Sequence, residues 1–151
     1  MKVVVDASVA VKWALPDPRV ELDADQAVVL LTGVKSGDFT PLQPPHWLAE
    51  VAAVITRLHP EAARRAIELL YALELPVTAE LEIFVRASSI AERLGRHVFD
   101  TLYHAVALEH GATLITADDE YYRKARPLGH IIRLWTLSTV IAEAARNEKQ
   151  H

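Results

Sequence analysis

The stretch that decides the fold is Lys2-Val3-Val4-Val5-Asp6-Ala7-Ser8. A second stretch, Ala112-Thr113-Leu114-Ile115-Thr116-Ala117-Asp118-Asp119, repeats the same pattern. Short β-branched runs of this kind are typical of strands buried on both faces of a parallel sheet. In open α/β sheets, ligands bind outside the carboxyl ends of such strands. Two strands that each end in aspartate therefore predict two carboxylates facing one crevice.

Composition favours one ordinary globular domain. The chain has 151 residues, of which 51% are hydrophobic and 24% charged, which excludes disorder. We expect a single domain over residues 1–146 and a frayed tail over 147–151. No apolar stretch can span a bilayer, no signal peptide is visible and Cys is 0, so we expect a cytoplasmic protein without membrane contact. The net charge of -4 argues weakly against a surface that coats nucleic acid.

Predicted helices and strands alternate along the chain. Asp17 and Thr78 are predicted helix caps, and Gly95 and Gly111 are predicted helix ends. We expect strands at 2–5, 39–40, 75–77, 112–115 and 130–133, and helices at 9–15, 17–36, 45–59, 60–73, 78–94, 99–110, 119–125 and from 137. This alternation predicts an α/β fold with a mainly parallel sheet.

Glu50 and Asp100 add two further acids to the predicted crevice. Glu50 lies on or beside the helix face that should pack inward, and charged residues are rarely buried without a partner. Alone, it is equally well explained by solvent contact or an arginine partner. Asp100 begins a predicted helix, where an aspartate usually caps free backbone amides. Capping and metal binding do not exclude each other.

The remaining polar residues of the crevice each have a structural alternative. Asp118 can cap the helix that follows its strand. Ser8 and Thr116 can orient a ligand or a metal-bound water, or can simply satisfy backbone groups. The four acids together favour a divalent-metal site, because Mg²⁺ and Mn²⁺ prefer carboxylate oxygens. Such ions activate water and stabilise the charge that develops on a phosphodiester.

Cationic and histidine side chains carry less information. None of the seven histidines shows metal-ligand spacing. His97 and His104 lie within one or two helical turns of Asp100, before and after it, and could approach the crevice, but surface placement is the default expectation. Four basic residues flank the crevice and can meet phosphate, although solvated surface charge is again the default: Lys12, Arg96, Arg123 and Lys124.

Four blocks of this sequence resemble the PIN domain family, and within it the VapC-type toxins of type II toxin–antitoxin pairs. The blocks occur in order and cover nearly the whole chain: Val3-Val4-Val5-Asp6-Ala7-Ser8-Val9-Ala10-Val11-Lys12-Trp13, Pro45-His46-Trp47-Leu48-Ala49-Glu50-Val51, Phe99-Asp100-Thr101-Leu102-Tyr103-His104-Ala105-Val106-Ala107 and Leu114-Ile115-Thr116-Ala117-Asp118-Asp119-Glu120-Tyr121-Tyr122-Arg123-Lys124-Ala125. Each block is weak alone, and together they are specific.

The resemblance implies a three-layer α/β/α sandwich and an Mg²⁺- or Mn²⁺-dependent endoribonuclease that cleaves RNA. By position, Asp6, Glu50, Asp100 and Asp118 match the family's four acids, named the acidic quartet below. Ser8 and Thr116 are supporting hydroxyls, and Asp119 is an additional acid that assists or replaces Asp118. The resemblance also implies a homodimer and a cognate antitoxin, for which the apolar helices at 28–31 and 63–73 are candidate interfaces.

Other functions fit the residues less well. A haloacid-dehalogenase phosphatase needs a second aspartate where Ser8 stands, and a receiver domain needs a lysine that the strand at 130–133 lacks. No glycine-rich turn follows either strand, which disfavours dinucleotide binding. Two alternatives stay open: a silent PIN-like module that binds RNA or protein, and a solitary RNA-processing nuclease.

Overall fold

A computed structural model describes residues 1–15 and 23–151. Its sheet has four parallel strands in the order β2-β1-β3-β4. The strands are β1 (Lys2–Val5), β2 (Thr40–Pro41), β3 (Thr113–Thr116) and β4 (Ile131–Arg133). The predicted α/β class with a parallel sheet is therefore confirmed.

Helices connect the strands and cover the sheet. They are α1 (Ala7–Ala14), α2 (Ala24–Ser36), α3 (Trp47–Leu58), α4 (Ala63–Tyr71), α5 (Leu81–Leu94), α6 (Val98–His110), α7 (Asp119–Ala125) and α8 (Leu137–Glu148). Three short 3₁₀ turns lie at Pro60–Ala62, Arg126–Leu128 and Leu134–Thr136. Among the described residues, no helix is long and apolar enough to cross a bilayer.

The two central strands form the middle of the core, as their β-branched sequences predict. Val3, Val4 and Val5 are 0% exposed, and Leu114 and Ile115 are no more than 1% exposed. Burying one such side chain contributes roughly 1.5–3 kcal/mol. Helix α6 is buried along most of its length, from Thr101 to Ala107. Its polar residues consequently need hydrogen-bond partners inside the protein.

Several predicted boundaries differ from the structure. Thr78 does not cap α5; the helix begins at Leu81, and the Thr78 hydroxyl donates to the Glu80 carboxylate instead. The segment predicted as an edge strand at 75–77 makes only an isolated parallel bridge between Gln43 and Val77. These segments carry weak local signals, so their contacts with neighbouring elements decide their conformation.

The glycine helix ends are confirmed. Gly95 and Gly111 follow α5 and α6 with φ of 63° and 61°, in the left-handed region that glycine adopts without steric cost. The predicted start of α2 at Asp17 lies outside the described residues. Helix α8 extends to Glu148, beyond the predicted boundary at 146. The division into one domain and a tail stays a prediction.

Candidate active site

The candidate site lies at the carboxyl ends of β1 and β3, which are neighbours in the sheet. Val5 pairs with Ile115, and the backbone N–H of Asp6 donates to the Ile115 carbonyl at 3.1 Å. This contact holds the first aspartate beside the end of β3. The two strand ends are therefore neighbours, as expected, and the crevice itself stays a prediction.

Gln43 holds the end of β1 from its other side. Its side-chain amide accepts from the Val5 N–H and donates to the Val5 carbonyl, both at 2.8 Å. Gln43 is 0% exposed, so these bonds satisfy two backbone groups that water cannot reach. The amide thus acts as an extra strand partner immediately before Asp6. The sequence analysis missed Gln43, because glutamine has no signal of its own in a loop.

Asp6 is the most desolvated member of the quartet. It occupies the N-cap of α1, where its Oδ2 accepts from the Ser8 N–H at 3.1 Å and from the Ser8 hydroxyl. The pKa of Asp6 is raised from 3.8 to about 6, mainly by desolvation; the charges of Glu50 and Asp118 also raise the pKa, and the Ser8 hydrogen bonds lower it. The carboxylate therefore lies in surroundings that disfavour its charged form.

Ser8 and Thr116 connect the two strand ends. The Ser8 hydroxyl accepts from the Ala117 N–H at 3.0 Å, and the Thr116 hydroxyl accepts from the Asp118 N–H at 3.0 Å. Thr116 also donates to Asp6 Oδ2 at 3.5 Å. Both hydroxyls thus satisfy backbone groups, as the structural alternative stated. Their role toward a ligand stays a prediction.

Asp118 and Asp100 differ in their local roles. Asp118 caps α7, since its Oδ1 accepts from the Tyr121 N–H at 2.9 Å. Asp100 does not cap α6, because His97 occupies the N-cap position without a side-chain cap bond. Burial raises the pKa of Asp100; Arg96 lowers it, and the charges of Glu50 and Asp118 raise it. The carboxylate of Asp100 is therefore free to face the crevice.

Arg96 forms ion pairs with three acids near the ends of β3 and α6, which are Asp100, Asp118 and Glu120. Its Nη2 lies 3.0 Å from Asp118 Oδ2 and 3.3 Å from Asp100 Oδ2, and its Nη1 lies 3.5 Å from Glu120 Oε1. The Arg96 side chain is only 16% exposed. The default expectation of solvated surface charge was therefore wrong for Arg96. It is the counter-charge for half of the quartet.

Glu50 reaches the site from α3 and contacts His46, one turn earlier. Its Oε2 lies 3.4 Å from His46 Nε2, and that nitrogen donates to the Phe99 carbonyl at 2.7 Å. A cavity of about 230 Å³ opens here, lined by His46, Ala49, Glu50 and Phe99. Glu50 is 26% exposed, so it has the partial solvent contact of the first alternative, with His46 rather than an arginine as its partner, and its ligand role stays a prediction.

Tyr103 is a second residue that the sequence analysis missed. It is 0% exposed, and its hydroxyl has no hydrogen-bond partner among the described residues. Burial raises the pKa of Tyr103, and the charges of Glu50, Asp6 and Asp100 raise it further. Its hydroxyl is thus an unpartnered polar group beside three acids. Only its place one turn after Asp100 pointed to it.

His104 is buried, so the expectation of surface placement was wrong for it, whereas His97 is exposed as expected. The His104 Nε2–H donates to the Gly129 carbonyl at 2.8 Å, so its Nδ1 accepts from the Tyr121 hydroxyl at 3.0 Å. Burial lowers the pKa of His104. His104 thereby supports Tyr121, whose own pKa burial and the nearby acids raise.

Asp119 makes no contact with Arg96 or the other acids in the described part of the chain. It is 55% exposed, and its closest cationic contact is Arg133 at 4.0 Å. Asp118, not Asp119, meets Arg96 and influences the pKa of Asp6. A role of Asp119 in assisting or replacing Asp118 stays a prediction, and this geometry gives it no support.

The donor set fits a hard divalent ion with one condition. It consists of oxygen ligands, which Mg²⁺ and Mn²⁺ prefer, and it includes the half-buried Asp6 and the buried Tyr103 hydroxyl. Within residues 1–15 and 23–151, however, no three acidic or histidine side chains converge closely enough to hold one ion. Asp100 and Asp118 pair with Arg96 instead. A metal ion can coordinate Asp100 and Asp118 only if the Arg96 guanidinium moves away from them.

The parallel sheet with acids at its carboxyl edge can be compared with the folds of known protein families. A model of the PIN domain matches residues 3–127, which is most of the chain. The chain belongs to the PIN domain family, and the resemblance noted in the sequence is confirmed. A search of curated proteins finds no match to this chain.

Solved structures with the same fold come from several organisms. PAE2754 from Pyrobaculum aerophilum has a TM-score of 0.66 and 18% identity, covering 95% of this chain and 96% of its own. VapBC2 from Rickettsia felis, bound to a DNA fragment from its promoter, has a TM-score of 0.63 and 16% identity, covering 88% and 98%. VapBC-1 from nontypeable Haemophilus influenzae has a TM-score of 0.59 and 20% identity, covering 90% and 99%. At these identities the likeness shows a shared fold.

Proposed function

We propose that this protein is an Mg²⁺- or Mn²⁺-dependent endoribonuclease and the toxin of a type II toxin–antitoxin pair. The observation that carries the proposal is the half-buried Asp6 at the end of β1, whose pKa is raised to about 6 by desolvation and by the charges of two other quartet acids. A carboxylate kept in such surroundings is costly unless a cation uses it. Membership of the PIN domain family, and VapBC proteins among the similar structures, support nuclease and toxin functions.

Each quartet residue has a defined part in this proposal. Asp6, Glu50, Asp100 and Asp118 would hold the metal, and Ser8 and Thr116 would keep Asp6 and Asp118 in place. When bound, a divalent ion activates a water and neutralises charge on the phosphodiester. Arg96 neutralises Asp100 and Asp118 in the metal-free protein. Once these acids have another counter-charge, the guanidinium is available to a phosphate oxygen.

Cleavage of RNA tests the enzymatic part. We expect the wild type to cleave RNA with Mn²⁺ and not with EDTA, and Asp6→Asn, Glu50→Gln and Asp100→Asn to abolish cleavage while still folding. Asp25→Asn, at an exposed position on α2, is the matched control and should cleave normally. Wild-type protein that binds RNA but never cleaves it would favour the silent binding module instead.

Metal binding can be tested without turnover. A ligand that binds only the folded state raises stability by mass action. Mn²⁺ should raise the melting temperature of the wild type and leave Asp6→Asn unchanged. If neither protein responds to Mg²⁺ or Mn²⁺, the quartet serves capping and packing, and the metal-dependent mechanism is wrong.

The proposal includes a homodimer and an antitoxin, in the cytoplasm. Val28 and Val29, within one predicted interface, are 62% and 37% exposed and line an apolar groove of about 560 Å³ between α2 and α8. An exposed apolar groove is typical of a protein interface. Sedimentation equilibrium should show a dimer that Val28→Lys weakens. A monomeric wild type would contradict the dimer and leave the nuclease proposal intact.

A further inference from the structure

A cluster of two aromatic rings around one guanidinium, in which Trp135 is exposed and Arg133 and Tyr122 are half-buried, lies at the edge of the site. The Arg133 guanidinium carbon is 4.6 Å from the centroid of the Tyr122 ring and 4.5 Å from that of Trp135. Tyr122 belongs to α7, Arg133 ends β4, and Trp135 lies in the 3₁₀ turn that follows. We name these three residues the aromatic–guanidinium cluster.

Sheet register places this cluster beside the quartet. Arg133 pairs with Thr116 across the β3–β4 register, and adjacent strands lie about 4.8 Å apart. On the other side, the Tyr122 N–H donates to the backbone carbonyl of Asp118 at 3.0 Å. The cluster therefore forms the wall of the crevice on the β4 side. A chain lying across the quartet toward β4 would meet it next.

The cluster keeps binding capacity that the fold does not use. Trp135 is 53% exposed, although an indole contributes more to stability when buried. The Nε of Arg133 is buried and has no hydrogen-bond partner among the described residues. The nearest carboxylate oxygen paired with Arg133 belongs to Asp119, at the long distance of 4.0 Å. Such an exposed pair contributes little, so Arg133 is available to another anion.

An exposed indole beside an available guanidinium matches the two parts of an unpaired nucleotide. Bases of single strands stack on aromatic side chains, and arginine binds the adjacent phosphate. In a duplex the base faces are already stacked, so only a single strand offers them. A local cation is also needed here because the chain carries a net charge of -4, which repels RNA elsewhere.

We propose that Trp135 and Arg133 form a subsite for one unpaired nucleotide of single-stranded RNA, with the base stacked on the indole and its phosphate bound by the guanidinium. This inference rests on the proposed ribonuclease function and specifies its substrate as unpaired RNA. Tyr122, on α7, holds the guanidinium from its other ring contact at 4.6 Å and is a positioning residue. The subsite lets the site select single-stranded loops over helices.

Binding without cleavage tests the subsite. The parent protein is Asp6→Asn in EDTA, and the probes are fluorescein-labelled oligoadenylate and the same strand paired with oligouridylate, followed by anisotropy. We expect Trp135→Ala to raise the Kd for the single strand about tenfold, and Trp135→Phe, which keeps a ring, to stay within about threefold. Arg133→Ala should reduce the slope of log Kd against log salt by about 0.7.

Matched controls lie near the other edge of the sheet. Tyr71, on α4, is 72% exposed and lines a cavity with Val77, the residue bridged to Gln43. Tyr71→Ala and the exposed Arg65→Ala should leave binding unchanged. In Trp135-containing protein, oligoadenylate should also quench tryptophan fluorescence, a change that a merely structural residue would not produce. Melting temperatures verify that each variant is folded.

The outcomes separate this inference from the proposed nuclease function. If Trp135→Ala binds oligoadenylate as tightly as its parent, or if the duplex binds as tightly as the single strand, the subsite is wrong. Such a result leaves metal-dependent cleavage by the wild type untouched. If the wild type never cleaves RNA but Trp135→Ala still loses single-strand binding, the subsite stands and the nuclease function is wrong.

Discussion

Arg96 and Asp118 are separated by 22 residues, yet Nη2 of Arg96 donates a hydrogen bond of 3.0 Å to Oδ2 of Asp118. The same nitrogen lies 3.3 Å from Asp100. One guanidinium thus neutralises two of the four acids proposed to hold a metal ion. Under the proposed function, Arg96 and a metal ion would therefore compete for the same two carboxylates.

Arg96→Gln tests whether Arg96 competes with a metal ion for Asp100 and Asp118. Without the guanidinium, Asp100 and Asp118 repel each other, and we expect the metal-free protein to lose about 1–2 kcal/mol of unfolding free energy. Mn²⁺ should then raise the melting temperature of the variant more than that of the wild type. Arg93→Gln, an exposed position near the end of α5 and three residues before Arg96, is the control. Equal metal responses of wild type and Arg96→Gln would show that Arg96 does not compete with the ion.

Asp6→Asn should stabilise the metal-free protein at alkaline pH. The folded pKa of Asp6, about 6, exceeds its ordinary value of 3.8, so its contribution to stability is fully present below pH 3.8 and is lost as pH rises through 6. The full loss amounts to about 3 kcal/mol. Urea unfolding in EDTA should find the variant more stable than the wild type at pH 8, with the difference shrinking toward pH 4. A less stable variant at pH 8 contradicts the burial argument.

Gln43→Leu should weaken the end of β1. The substitution removes both 2.8 Å hydrogen bonds and leaves the Val5 N–H and carbonyl buried without partners. We expect a loss of about 2–4 kcal/mol in unfolding free energy and faster hydrogen exchange at the Val5 amide. Gln26→Leu removes an exposed bond to the Ser138 N–H and should cost much less. Similar losses in both variants would mean that burial is not the cause.

His104→Gln should matter more at neutral than at acidic pH. Burial lowers the pKa of His104, so the folded state favours the neutral ring, whose contribution is complete above pH 6.5 and falls as pH drops below it. Glutamine can still reach both partners but does not titrate. The stability advantage of the wild type over the variant should therefore shrink between pH 7.5 and 5 in urea unfolding. A stability advantage of the wild type that grows at low pH would show that the folded protein favours the protonated His104 ring instead.

The backbone of this fold is readable because its signals are local. The β-branched runs predicted β1 and β3, and Gly95 and Gly111 predicted the ends of α5 and α6, since left-handed φ favours glycine. Signals were weaker where a segment depends on a distant neighbour. The segment at 75–77 meets only Gln43 through one bridge, so its sequence could not decide between strand and loop.

The site, too, has residues whose positions the sequence predicts and residues whose surroundings only the fold determines. Asp6 and Asp118 follow predicted strands, so their positions came from the sequence alone. Only the tertiary structure showed that His104 is buried and that the Tyr103 hydroxyl has no hydrogen-bond partner among the described residues. It also showed that Asp100 does not cap α6. No spacing rule distinguishes a buried histidine from an exposed one on a helix that is covered on most sides.

By itself, the sequence determined a parallel α/β sheet with aspartates at its carboxyl edge, because side-chain periodicity and strand ends are properties of consecutive residues. Only the tertiary structure decided which charges meet: Arg96 with Asp118, and Arg133 with Tyr122 and Trp135. The reason is physical. Hydrogen-bonded ion pairs and cation–π contacts need their groups within a few ångströms of each other, and the fold around the strand order β2-β1-β3-β4, not distance along the chain, brings these groups that close.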